Sequence, residues 1–274
     1  MSNHLKINKI NWDERADIHM SDPDDWYGVK EFLAGSNALN PIEKQALGDL
    51  AGLKVLHLQC HIGLDTLSIA RDAQKVVGVD FSSNALAHAR DLAERSGLSH
   101  KVTWIESDAL SVTPLLDSDF DLAFASWGAT CWLPDIFKWA NVIANALKPG
   151  GRLYYIDAHP GTFTLEYKDD KLTPTYDYRT PRNKPLRFHS EFSYNESNTR
   201  ARQTLSVEWM RPISDYLSAI RQAGLDLEDF QEHEFIPWRG FPIMERSSED
   251  RQYRLPPEHP RTPLAFSFWA RKID

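Results

Sequence analysis

Apolar residues in this chain fall into blocks of strand length, separated by stretches with helical spacing. Val55, Leu56 and Leu58 form the first block, and Leu64, Leu67, Ile69 and Ala70 follow at the spacing of a helix face. Gly63 lies between them and lets the backbone turn. Val76, Val77 and Val79 make a second strand that ends in Asp80. Ser82 and Ser83 then stand as caps for a helix from about Asn84 to Ser96, with Leu86, Ala89 and Ala93 on one face and Gly97 as its stop. Val102–Glu106 and Asp121–Ser126 read as the third and fourth strands. Pro134 opens a helix in which Ile136, Trp139, Ala140, Ile143 and Leu147 recur, which places Trp139 in the core. Lys148-Pro149-Gly150-Gly151 should end that helix and turn the chain into a fifth strand, Arg152–Ile156. Asn40-Pro41 followed by Glu43 starts an earlier helix reaching about Leu50. Near the end, Ile213–Ala223 is a helix, and Leu225–His233 and Pro263–Arg271 are the last two strands.

A strand that turns into a helix is the first half of a βαβ unit, and ligands on open parallel sheets bind outside the carboxyl ends of the strands. Asp80 ends the strand after that turn, where a carboxylate suits ribose hydroxyls; a nucleoside-containing cofactor is therefore implied. A dinucleotide would need Gly-x-Gly-x-x-Gly so that backbone could approach its pyrophosphate. The turn instead reads Gln59-Cys60-His61-Ile62-Gly63, whose bulky polar side chains argue against NAD or FAD. A cofactor without phosphate has no need of those glycines.

At this point the residues resemble the class I S-adenosylmethionine-dependent methyltransferases. The stretch HLQCHIGLDTL looks like a bacterial branch in which Gln and His occupy two positions that are glycine in the usual first motif. The resemblance continues through VVGVDFS, FDLAFASWGATCWLPD, LKPGG and PLAFSFWARK, and so covers nearly the whole chain. It implies a Rossmann-like α/β fold with a seven-stranded, mostly parallel sheet whose final strand is antiparallel. It also implies S-adenosylmethionine as cofactor, with Gln59, Cys60, His61, Gly63, Asp80, Phe81, Ser82, Asp108, Ala109 and Ser126 around it and Asp108 and Ala109 at the adenine. Residues 1–48 would form an N-terminal lid, with Tyr27 and Gly35 nearest the cofactor; 49–160 the cofactor-binding core; 161–210 a β-rich insertion over the substrate pocket; and 211–274 the rest of a single domain. Trp127, Cys131, Trp132 and Tyr176 are the expected substrate residues. His159, at the end of the fifth strand, and His19 are the candidate bases.

Composition narrows the partners. The net charge is −8 and the basic residues form no blocks, so the electrostatic drive for nucleic-acid binding is missing. No apolar run approaches the ~18 residues of a membrane span, and the start MSNHLKINKI carries no apolar signal segment, so a cytoplasmic protein is expected. Two cysteines set no disulfide or zinc pattern, and no metal is expected. Nine tryptophans and nine tyrosines suit a site with aromatic walls for a small molecule. The expected reaction is methyl transfer to an oxygen, nitrogen or sulfur nucleophile, aromatic acceptors included; a non-catalytic S-adenosylmethionine-binding protein and a nicotinamide-dependent oxidoreductase are the alternatives.

Overall fold

The computed structural model describes residues 2–273. Helices α1 (Asn3–Met20), α2 (Val29–Leu33) and α3 (Pro41–Leu47) precede β1 (Lys54–Leu58). Then come α4 (Leu64–Asp72), β2 (Lys75–Asp80), α5 (Ser83–Arg95), β3 (Val102–Glu106), β4 (Phe120–Ser126), α6 (Ile136–Ala146) and β5 (Leu147–Ala158). Two hairpin pairs follow, β6 (Leu165–Lys168) with β7 (Lys171–Pro174) and β8 (Leu186–His189) with β9 (Leu205–Glu208). The chain ends with α7 (Ile213–Gln222), β10 (Leu225–His233), the short β11 (Glu245–Arg246) and β12 (Tyr253–Arg254), and β13 (Ala265–Lys272).

The central sheet runs β10-β13-β5-β4-β1-β2-β3. Strands β1 to β5 are mutually parallel, and β13 is antiparallel to both of its neighbours. This is the seven-stranded, mostly parallel Rossmann-like sheet expected from the sequence. Its middle strands are buried on both sides, which is why they read as continuous apolar runs. Val55, Leu122, Phe124 and Tyr154 pack with Leu67 of α4 and Leu92 of α5 on one face. Leu56, Ala123 and Tyr155 pack with Trp139 of α6 and Tyr216 of α7 on the other. A side chain as buried as Leu56 or Phe124 contributes about 1.5–3 kcal/mol by leaving water.

Two boundaries differ from the sequence expectation. Helix α3 has the expected capping box at Asn40 and Glu43 but ends at Leu47, because Gly48 takes φ 59° and breaks the helical path. The Lys148–Gly151 stretch is not a free turn: β5 already begins at Leu147, and the β4–β5 register shifts between Phe120 and Leu122. A Cβ at Gly151 would stand 2.9 Å from two backbone carbonyl oxygens, so only glycine fits this irregular crossing.

Helix α1 packs against α5 and β9, over the carboxyl ends of β2 and β3. One side of it meets the core: Lys9 donates to the Phe81 carbonyl (2.8 Å) and to Ser83 (3.0 Å), and Asp13 accepts from the Ser82 hydroxyl (2.7 Å). The other side reads backbone between residues 190 and 207, part of it the open edge of β9. Asn8 donates to the Val207 carbonyl (2.8 Å) and accepts from its N–H (2.9 Å), completing a ladder pair with a side-chain amide. Arg15 donates to the Ser190 and Phe192 carbonyls, each at 3.1 Å. Among the described residues, no helix is long and apolar enough to cross a membrane.

Candidate cofactor and acceptor site

The site is built where the parallel strands end. Three non-glycine residues there hold left-handed backbone, Gln59 (φ 58°) and His61 (51°) after β1 and Trp127 (43°) after β4. Such conformations cost of order 1–3 kcal/mol each and persist only where surroundings over-determine them. They are over-determined here. Cys60 N–H reaches the Val79 carbonyl (3.0 Å), His61 N–H the Asp80 carboxylate (2.8 Å), and Trp127 N–H the Ile156 carbonyl (2.9 Å). Gly128 N–H donates to Asp157 at 2.6 Å, and the Gln59 amide donates to the Ala129 carbonyl, tying the two loops together. Gly63 (φ 76°) begins α4, and a Cβ there would stand 2.5 Å from the Trp104 ring and 2.9 Å from Ala89. The single glycine of the turn thus serves both its backbone angle and the close approach of a β3 indole.

Asp80 is 6% exposed at the end of β2. One oxygen accepts from His61 N–H and the other from Ser82 N–H, both at 2.8 Å. Burial pushes its carboxyl up to about 6, against the pull of those N–H groups and of Lys9. Ser82 caps α5 by accepting from Ala85 N–H (3.1 Å), and Phe81 contributes the carbonyl held by Lys9. Asp108 accepts from Leu110 N–H (3.2 Å) and Ser111 (3.0 Å), which shapes the turn after β3, and Ala109 beside it is buried. Cys60 and Ser126 are buried at the ends of β1 and β4; burial pushes the Cys60 thiol up, so it is no nucleophile. Gly35 is placed apart from this group: its carbonyl accepts from Arg71, in the last turn of α4, far along that helix from the Gly63 turn.

Next to the turn lies an aromatic basin that brings together the N-terminal helices, the sheet and the segment between β5 and α7. Trp12 packs on His61 (ring centroids 5.5 Å) and on Trp132 (5.2 Å). His19 meets His61 (5.1 Å) and Tyr194 (5.0 Å), with Nδ1 3.2 Å from His61 Nε2 and Nε2 2.6 Å from the Ser193 hydroxyl. The Tyr27 and Tyr194 hydroxyls bond each other, and Tyr194 faces Trp238, which faces Trp127. Burial holds both imidazoles neutral: His19 is well below its ordinary value, and His61 is down at about 3.

Trp238 also lines a cavity of about 220 Å³ between the insertion and the C-terminal connection. Phe163, Leu165, Phe188, Ile236 and Phe241 make its apolar walls, Tyr176 lies on it, and Glu208 is its one carboxyl group, raised by burial. Cys131 lies outside this cavity, in a smaller space beside Asp157 and Arg211, and its thiol is likewise raised by burial. His159 is turned away from both spaces. Its Nδ1 accepts from Gly161 N–H (3.0 Å), its Nε2 lies 3.1 Å from Glu232 of β10, and neither nitrogen is left free for an acceptor's proton. Among the described residues, no group of three or more His, Cys, Asp or Glu could hold a metal.

The structure therefore gathers Tyr27, Gln59, Cys60, His61, Gly63, Asp80, Ser126, Trp127, Trp132 and His19 around the turns after β1, β2 and β4; Gly35 lies along α4, and His159, at the carboxyl end of β5, is turned to Gly161 and Glu232. Sequence reasoning missed Trp12, Tyr194, Trp238 and Asp157 as residues of this region, because only tertiary packing assembles them.

The sheet and its turn can now be set beside known proteins. Residues 55–151 match the family model of the methyltransferase domain. The chain is 32% identical over 120 residues to the methyltransferase phqN of Penicillium fellutanum, covering 43% of this chain and 35% of that one. It is 29% identical over 198 residues to the sterol 24-C-methyltransferase erg6 of Aspergillus fumigatus, covering 70% of this chain and 46% of that one. The chain thus matches less than half the length of these relatives. An S-adenosylmethionine-dependent methyltransferase structure from Mesorhizobium loti superposes with a TM-score of 0.58 over 88% of this chain and 100% of that one, at 19% identity. The fold is the Rossmann-like methyltransferase fold, and the matched segment runs from β1 to the Gly150-Gly151 bulge.

Proposed function

We propose that this chain transfers the methyl group of S-adenosylmethionine to a small, largely apolar acceptor, and that HLQCHIGLDTL marks the branch of class I methyltransferases to which it is akin. The observation that carries this reading is the juxtaposition, at one end of the sheet, of a nucleoside-type subsite at Asp80 with an aromatic basin that leads to an apolar cavity. When bound, the cofactor supplies a methyl group already made electrophilic by its sulfonium. Asp80 accepts from the ribose hydroxyls. The strained Gln59–His61 turn supports the middle of the ligand, and Asp108 and Ala109 sit at its adenine.

The chain's further task is positioning. Trp127, Trp132 and Tyr176 shape the acceptor side, while the lid residues Trp12, Tyr27 and His19 close over it and exclude water. Holding donor and acceptor in line supplies about 7–11 kcal/mol in favourable cases. His19 is held like His159, with Nδ1 against His61 and Nε2 against the Ser193 hydroxyl, and burial lowers its basicity, so neither histidine is assigned as a base and acceptors that need none fit the site better. Gln59 and His61 stand where a dinucleotide requires glycine, which disfavours the nicotinamide reading.

Incubation with methyl-labelled S-adenosylmethionine and pools of hydroxylated and amino-substituted aromatic compounds tests the activity. Label in an acceptor, lost in Trp238→Ala, supports it. Tight cofactor binding with no transfer across broad acceptor pools would instead favour a binding protein.

A further inference from the structure

The cavity of about 220 Å³ beside Trp238 carries one charged side chain, Glu208, among apolar and aromatic walls. The β8–β9 hairpin sets Phe188 opposite Ser206 and Leu186 opposite Glu208, so Phe188, Ser206 and Glu208 share one face of it. From that face Phe188 and Glu208 line the cavity. The Ser206 hydroxyl donates to Glu208 Oε1 (2.8 Å) and so fixes the carboxyl group; among the described residues, Oε2 has neither a hydrogen bond nor an ion pair.

The groups that could have satisfied Oε2 are engaged elsewhere. Tyr176 meets the Phe188 ring edge-on (centroids 5.4 Å), but its hydroxyl donates to Glu166. Arg15, whose charge is felt at Glu208, donates to Asn11 Oδ1 (2.7 Å) and to the Phe192 and Ser190 carbonyls. Arg211 donates to the Thr130 carbonyl (2.6 Å) and lies in the smaller space beside Asp157.

A carboxyl group in an apolar wall is costly unless it keeps its proton or meets a cation. Burial raises the Glu208 carboxyl, which is the mark of a group short of positive charge. The rings around it favour the same partner, because the faces of Phe163, Tyr176, Phe188 and Trp238 attract cations. A neutral apolar ligand would gain nothing from a carboxylate at this place.

We propose that this cavity selects methyl acceptors that carry a basic amine, seated as an ammonium group between Glu208 and the neighbouring rings, and that the methyl group goes to another atom of the same molecule. The inference rests on the function proposed above and names its substrate class. A protonated amine has no lone pair and cannot itself take the methyl group. The accepting atom therefore lies at the opposite end of the molecule, where Trp238 turns from the cavity to Trp127 after β4. Glu208 sets specificity and takes no part in making or breaking bonds.

The test uses three probes that share a phenyl ring and differ in charge: phenethylamine, phenethyl alcohol and phenylpropionate. Each is titrated at pH 7 into the wild-type protein with and without S-adenosylhomocysteine, whose own affinity is measured on the same samples. The amine should bind at least about tenfold more tightly than the alcohol, and phenylpropionate more weakly than either. Glu208→Gln should bring the amine within about twofold of the alcohol and leave the alcohol as it was. Phe188→Ala should weaken amine and alcohol together, which locates both in this cavity.

Unchanged S-adenosylhomocysteine affinity in the two variants is the check on folding, and the wild-type selectivity is read without either of them. An amine bound no more tightly than the alcohol, or a preference for it that survives Glu208→Gln, overturns the inference while leaving methyl transfer standing. Failure of S-adenosylhomocysteine to bind the wild type, beside a clear preference for the amine, overturns the function and with it the reading of the amine as a methyl acceptor.

Discussion

The two halves of the site are held by different means. The proposed cofactor half, from β1 through α5, rests on parallel ladders and two-sided apolar burial, and its strained turn is fixed by backbone groups and by Asp80. The proposed acceptor half joins α1 to the insertion largely through side chains that read backbone, as Asn8 does at Val207, Arg15 at Ser190 and Phe192, and Glu14 at the N–H groups of Arg202 and Gln203. One half is specified by repeating patterns of residues, the other by individual contacts between segments about 200 positions apart. The first should fail globally when broken and the second locally.

Gly63→Ala is the most disruptive test of that difference. The new Cβ meets Trp104 at 2.5 Å and the residue must hold φ 76°, so a loss of about 2–5 kcal/mol is expected, read as a lower urea midpoint for the whole domain. Asn8→Ala leaves the buried Val207 N–H and carbonyl unpaired, at about 2–3 kcal/mol. Its signature should be local: faster proteolysis within residues 161–210, with binding of 5′-methylthioadenosine retained. A single global transition, with no preferential cleavage, would show that the halves do not differ in this way.

A smaller effect comes from pH. The Asp80 carboxyl is raised to about 6, so its proton is held more tightly than in an ordinary aspartate, and the charged form that accepts from ribose grows as pH rises through 6. Affinity for methylthioadenosine should therefore rise about tenfold from pH 5 to pH 7, since the ionised fraction of a group near 6 changes by that factor. A flat profile would mean that the carboxyl is not what holds the nucleoside.

The same contrast explains what the sequence disclosed. The sheet was legible because alternate faces of its strands are both buried, so Val55-Leu56 and Val76-Val77 read as unbroken apolar runs. Asp80 and Gly63 were legible because the chemistry at the end of a βαβ strand is local. The aromatic basin was not: Trp12, Tyr194 and Trp238 come from a helix, an irregular insertion and a long connection, and no periodicity links them. His159 illustrates the converse, since the end of a central strand looks catalytic until Gly161 and Glu232 are seen to occupy both ring nitrogens. The extent of β5 was hidden because Pro-Gly-Gly signals a turn far more often than a bulge within a strand.

The central claim is that the Gln59–Asp80 region holds the nucleoside of S-adenosylmethionine. It is tested most directly by titrating S-adenosylhomocysteine and NAD into the wild-type protein and into Asp80→Asn, which keeps an acceptor for one of the two N–H groups Asp80 holds and removes the charge. The account predicts saturable binding of S-adenosylhomocysteine to the wild type, weakened at least about tenfold in Asp80→Asn, and no comparable binding of NAD. Absence of binding to the wild type, equal binding to both proteins, or tighter binding of NAD would contradict it.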